Sequence, residues 1–82
     1  METEIRQVLA EHARLPVDIQ DLDDDADLYQ AGMTSHASVS VMLALEDAFD
    51  IEFPEKMLRK GTFESVSAIS AALSSLVGAA AE

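Results

Sequence analysis

Apolar residues recur at helical spacing along this chain, and nowhere do they alternate in the manner of a strand for more than three residues. Ile5, Val8, Leu9 and His12 share one helical face. Val39, Met42, Leu45 and Phe49 share another, with Val41, Leu43 and Ala44 spreading apolar surface further round. Val66, Ile69, Ala72 or Leu73, and Leu76 share a third. A chain patterned this way buries its stripes by packing helix against helix, as a small all-α domain. Proline and glycine punctuate the pattern. The residue before a proline avoids the helical region, so Pro16 ends a first helix over Glu2 to Leu15. Glu2 and Glu4 at its start and Arg14 at its end suit the helix dipole. Val17 to Thr34 is a long connection with Val17, Ile19, Leu22 and Leu28 as its apolar anchors. A loop this long in a small domain is usually functional or a compact Ω-type segment.

A second helix is expected over His36 to Asp50, with Thr34 or Ser35 at its cap. Its apolar residues exceed one stripe. Either part of that surface faces partners or cargo, or the helix is buried on two sides. Ile51-Glu52-Phe53 is extended and ends at Pro54. Glu55 to Lys60 can form a short helix with Met57 and Leu58 inward, closed by Gly61. Thr62 then caps a last helix over Phe63 to Val77, which Gly78 stops, leaving residues 79–82 as a frayed tail. With 82 residues and no linker or internal repeat, residues 1–82 read as one domain.

Charge narrows the partners. Five basic against 16 acidic residues give a formal net charge of -11, which repels nucleic-acid backbone and anionic lipid. Basic protein surfaces are the complement, met fastest at low salt. A hydrophobic share of 49% argues against disorder. No apolar run is long enough to span a bilayer, and Met1-Glu2-Thr3-Glu4 is too acidic for a secretory signal, so a cytoplasmic monomer without membrane contacts is the expectation. There is no cysteine, hence no disulfide, thiol nucleophile or Cys-type zinc site. Any thiol chemistry must come from something attached.

The stretch Gly32-Met33-Thr34-Ser35-His36 carries the candidate site. A serine at a helix entrance lies near unpaired backbone N–H groups and the positive end of the dipole, surroundings that suit a phosphate. Its plain alternative is an ordinary helix cap. Ser35 and His36 are adjacent on a helix and point about 100° apart, a poor arrangement for nucleophile and base. His36 reads as a contact, a pH-sensitive element or a surface residue, and His12 as a partly buried packing residue. Two histidines without cysteine or a recognisable spacing do not make a zinc site. The acidic run Asp21-Leu22-Asp23-Asp24-Asp25-Ala26-Asp27 invites comparison with an EF-hand. Counted from Asp21, Asp23 and Asp25 fall on ligand positions, but the required glycine is Ala26 and the required glutamate is Gly32. A solvated acidic loop fits better.

A glycine, any residue, a polar or acidic residue, a serine and a residue opening a helix resembles the phosphopantetheine attachment motif of acyl carrier proteins, whose usual Asp-Ser-Leu core is Thr34-Ser35-His36 here. Fourteen residues after the serine, Phe49-Asp50-Ile51-Glu52-Phe53-Pro54 is similar to the family's Phe-Asp-Ile-Glu-Ile-Pro, in gapless register. Val39, Leu43, Ala44, Leu45 and Glu46 also sit where the family has its Val, Met, Ala, Leu and Glu. The resemblance implies a four-helix bundle of acyl-carrier-protein type with a long first loop and a short third helix. It implies covalent 4'-phosphopantetheine on Ser35, added by a phosphopantetheinyl transferase. Cargo would then be held as a thioester, placed by a loading ligase or acyltransferase and passed to downstream acyl-accepting enzymes. Thr34, His36, Val39, Ser40, Leu43, Glu46 and Asp47 are the candidate partner contacts. Thr34, His36 and Ser40 depart from the family's aspartate, leucine and glutamate. The departures point away from general fatty-acid synthesis. The motif also resembles stand-alone aminoacyl carrier proteins, charged by ligases similar to class II aminoacyl-tRNA synthetases. No nucleophile, base and oxyanion site assembles from these residues, so the chain reads as a carrier and not an enzyme. The reading from another class is a small acidic interaction or divalent-cation-binding module without a prosthetic group.

Overall fold

The computed structural model describes residues 2–80, with side chains described through residue 77. Three α-helices hold the structure: α1, Glu2–His12; α2, Ser35–Phe49; and α3, Val66–Ala80. Short 3-10 turns stand at Ile19–Asp21, Glu55–Met57 and Lys60–Phe63, and the described residues contain no strand. Helix α1 packs against both α2 and α3, and α2 meets the Lys60–Phe63 turn.

The short helix expected over Glu55 to Lys60 is absent; two 3-10 turns take its place, so the bundle has three α-helices among the described residues. The reason is geometric. Too few residues lie between Pro54 and Gly61 to repay helix nucleation, and single turns close with tighter bonds. Met57 is half-buried, but Leu58 is exposed. Gly61 lies inside the second turn and does not end a helix. Helix α3 begins three residues later than expected, because Ser65, not Thr62, caps it: Ser65 Oγ accepts the Ala68 N–H at 3.0 Å. At its far end α3 continues through Gly78 to Ala80, so residues 79 and 80 are helical and residues 81–82 of the expected tail lie outside the described residues. A lone glycine among alanines weakens a helix by about 1 kcal/mol without forbidding it.

Helix α1 stops at His12, short of the expected Leu15. Arg14 takes a left-handed conformation at φ 55°, turning the chain before the Leu15-Pro16 pair. Asp50 does the same for α2 at φ 53°, so it is a cap and not a helical residue.

The core gathers Ile5 and Leu9 of α1, Val41 and Leu45 of α2, Val66, Ile69 and Leu73 of α3, and Leu28 of the long connection, all essentially inaccessible. Phe53 meets Phe63 edge to face, with ring centroids 5.2 Å apart. Helix α2 is rotated from the expected stripe. Ala37, Val41 and Leu45 face the core, Met42 and Phe49 are half-buried, and Val39 is 52% exposed. Apolar spacing admits either face; packing against α1 selects the one with Ala37 and Val41, and Leu45 is buried as expected. Val17, expected as an anchor, is also exposed.

Ile19 and Leu28 do anchor the long connection, with Leu22 and Tyr29 packed at its edge. Leu28 N–H donates to the Glu64 carbonyl at 2.7 Å, and Ser67 N–H donates to that of Asp24 at 2.9 Å, stitching the loop to the start of α3. Arg6 holds the other side. Its guanidinium donates to the Ile19 carbonyl and to Asp24 Oδ1, each at 2.6 Å, and to Glu2 Oε1 at 3.3 Å.

The Arg6 guanidinium, bonded to Asp24 Oδ1, holds the Asp24 carboxyl below its ordinary value. A carboxyl lowered in the folded state contributes stability above its unfolded pKa and loses it as pH falls through the folded value. Asp24→Asn is therefore expected to be less stable than wild type at neutral pH. The gap should close as pH falls below about 4. Urea unfolding of both proteins across pH measures it, and the difference between them is the readout, because protonating the other carboxylates relieves repulsion in both.

Candidate functional site

Four residues set the geometry at the mouth of α2. Gly32 has φ 124°, a region closed to most side chains, and a Cβ there would lie 2.6 Å from Pro16 Cδ. This turn sends Met33 inward, where it is 3% exposed and its N–H donates to the Leu28 carbonyl at 3.0 Å. Thr34 is the N-cap: its Oγ1 accepts the Ala37 N–H at 3.0 Å. Ser35 is the first helical residue and is exposed. Because Thr34 supplies the cap, the Ser35 hydroxyl has no hydrogen-bond partner among the described residues. The Ser35 carbonyl accepts from Ser38 Oγ at 2.7 Å. The first turn of α2 contains no acidic residue, although the chain carries 16. The N-terminal field of α2 is thus uncompensated from within its own first turn.

Beside Ser35 opens a groove of about 330 Å³. Ser38, Val39 and Met42 of α2 form one wall, and Leu58, Arg59, Lys60 and Phe63 form the other. Tyr29 closes one side, its ring 5.0 Å from Lys60 Nζ. The 58–63 segment folds as turns that meet α2 and leave the groove between the two walls.

The expected partner contacts divide. Ser35, Val39, Leu43 and Asp47 follow one another at i, i+4 spacing, and all four are exposed, with Val39 at 52% and Leu43 at 56%. They form one ridge running from the serine along α2. His36 is exposed beside the ridge and Ser40 is half-buried. Glu46 is occupied: its Oε2 accepts the Phe53 N–H at 2.9 Å, and its carbonyl receives the Asp50 and Ile51 N–H groups. It closes the end of α2 and fixes the extended residues after it. Arg59, Lys60 and Tyr29 at the groove were not anticipated as site residues. The signal was present, since Lys56, Arg59 and Lys60 are three of only five basic residues.

The acidic run is employed locally. Asp24 pairs with Arg6, and Asp27 Oδ1 accepts the Tyr29 and Gln30 N–H groups. Among the described residues, no three metal-ligand side chains converge. His12 is only half-buried, with Glu11 Oε2 3.8 Å from its Nε2.

Residues 3–73 match the family described as phosphopantetheine attachment site. The chain belongs to this phosphopantetheine-binding family. Its members are carriers, not catalysts, and their prosthetic group is covalently attached 4'-phosphopantetheine. An aminoacyl carrier protein of Agrobacterium fabrum is 48% identical over 69 residues, spanning 84% of this chain and 83% of that protein. The fold superimposes on a carrier protein from Agrobacterium tumefaciens, solved with an engineered Bradyrhizobium japonicum glycine:[carrier protein] ligase and AMP. There the TM-score is 0.87 at 45% identity, covering 89% of this chain and 97% of that one. A structure of the Bradyrhizobium japonicum ligase with glycylated carrier protein matches at TM-score 0.74 and 25% identity, covering 87% of this chain and 95% of the other. The carrier-protein fold is therefore shared, with three α-helices among the described residues. An exposed, uncommitted hydroxyl, a first turn without carboxylates and an adjoining groove all fit the family's prosthetic group.

Thr34 and Ser35 divide the labour of cap and hydroxyl, which stability can test. Thr34→Ala is expected to cost about 1 kcal/mol, the usual loss of an N-cap, and Ser35→Ala close to nothing. Urea denaturation of the unmodified proteins gives both values. A loss at Ser35 equal to that at Thr34 would show that the serine is the cap.

Proposed function

We propose that Ser35 is the residue that carries 4'-phosphopantetheine, and that the cargo is an amino acid. The observation that carries the first statement is the exposed Ser35 hydroxyl left unbonded by the Thr34 cap. The second rests on likeness to an aminoacyl carrier protein and to a carrier protein solved with a glycine:[carrier protein] ligase. When bound, the group supplies a thiol on which an acyl or aminoacyl group is held as a thioester.

The chain's own part is to present and to be recognised. Ser35 receives the group from coenzyme A through a phosphopantetheinyl transferase, which supplies the chemistry. The ridge of Val39, Leu43 and Asp47 gives partners two apolar contacts and a charge in line with the attachment point. Thr34, His36 and Ser40 flank it. The partners are the transferase, an amino acid:carrier protein ligase and a downstream acceptor, meeting a monomeric carrier in the cytoplasm. No helix among the described residues is long and apolar enough to cross a membrane. Glu46 contributes by shaping the helix end.

Intact mass after incubation with coenzyme A and a broad-specificity transferase is expected to rise by one phosphopantetheine in wild type and to stay unchanged in Ser35→Ala. No gain with several transferases would favour an acidic interaction module without a prosthetic group. His36→Leu places an apolar side chain beside the attachment point. It should raise loading and transfer rates with fatty-acid or polyketide partners; equal rates would show that position 36 does not discriminate.

A further inference from the structure

The charge on this molecule is unevenly placed. Sixteen acidic residues cover an 82-residue chain of net charge -11, yet the groove beside Ser35 is lined by two cations, Arg59 and Lys60, and by no carboxylate. Both cations are exposed, and neither has an ion-pair partner among the described residues. Arg6, by contrast, is satisfied by two carboxylates and a carbonyl. Lys60 is nevertheless held in place, with Nζ 5.0 Å above the Tyr29 ring. Tyr29 is itself fixed, because its N–H donates to Asp27 Oδ1 at 2.9 Å and its ring packs at the core edge. A steered lysine and an unpaired arginine on the wall facing a serine form a local positive field in an otherwise negative surface.

Resting on the assignment of Ser35 as the attachment residue, we propose that Arg59 and Lys60 are positioning residues for the phosphodiester borne by Ser35, and that they hold the attached arm on the groove side of α2. A phosphodiester is a permanent anion at neutral pH, so the chain that carries it gains one more negative charge. Thr34 supplies a neutral cap, so the phosphodiester would be the first anion in the opening turn of α2. Covalent attachment keeps it at high effective concentration beside the groove, which makes even weak exposed charge pairs worth forming. Arginine offers a planar donor fork to phosphate oxygens and lysine a point charge. The same pairing leaves the apolar wall of Val39, Met42, Leu58 and Phe63 next to the arm. Lys56 lies on the same segment but does not line the groove, so it serves as the internal control.

The test uses protein loaded on Ser35 and checked by intact mass, so that a failure to load counts against the Ser35 assignment alone. The 31P line of the loaded wild type is expected to be broad and shifted at low salt, and to narrow and move as salt is raised. Loading should also move the amide signals of Tyr29, Arg59 and Lys60 as well as those around Ser35. In the Arg59→Gln/Lys60→Gln double variant, the narrow 31P line should be present already at low salt and the remote amide shifts should vanish. Lys56→Gln should behave as wild type. Amide spectra of the unloaded variants verify the fold, and the salt series on wild type stands without any variant. A 31P line that is the same in wild type and double variant overturns the proposal. So does an equal effect of Lys56→Gln, which would reduce the matter to overall charge, or movement confined to residues 35–37.

Discussion

A single hydrogen bond, from the Ala37 N–H to Thr34 Oγ1 at 3.0 Å, caps α2 and leaves the next hydroxyl, that of Ser35, uncommitted. It fixes α2 to begin at Ser35. A cap one residue later would spend the Ser35 hydroxyl on the backbone, while packing against α1 would still hold Ala37, Val41 and Leu45 in the core. Three neighbours enforce the choice. Gly32 supplies the positive φ, Pro16 fills the space a side chain there would need, and Met33 is buried as a plug. The Ser35 hydroxyl is exposed and unspent because the residue before it supplies the cap.

The same economy governs the long connection. It has little regular structure, yet Leu28 sits in the core and two backbone bonds tie the loop to Glu64 and Ser67. Arg6 adds a third tie by gathering Asp24, Glu2 and the Ile19 carbonyl. In a chain this acidic, one cation bridging two carboxylates offsets local repulsion and fixes the loop. The cations at 59 and 60 have no such partner among the described residues, and they line the groove with Ser35. Charge is therefore divided between a role in folding, at Arg6, and an unsatisfied potential at the groove.

Much of the site was legible before any coordinates. Gly32, Ser35 and the Phe49–Pro54 segment are read directly because their backbone demands and spacing are local. The exposed ridge was legible in part: Leu43 is expected outside the core and is exposed, whereas Val39, expected on the core stripe, is exposed as well. Apolar spacing on α2 fits two faces, and only the fit against α1 chooses between them. Glu46 was named as a surface contact, but its carboxylate caps the Phe53 N–H, a contact across seven residues that no helical repeat signals.

Periodicity, prolines and charge by themselves determined an all-helical acidic domain with a serine at a helix entrance, since each of these acts over a few residues of chain. Tertiary structure decided the rest: which face of α2 is buried, that Glu55–Met57 and Lys60–Phe63 remain 3-10 turns, and that Tyr29, Arg59 and Lys60 stand around Ser35. Residues so far apart in sequence are brought together only by core packing, whose energy depends on shape complementarity between elements and leaves no pattern within any one of them.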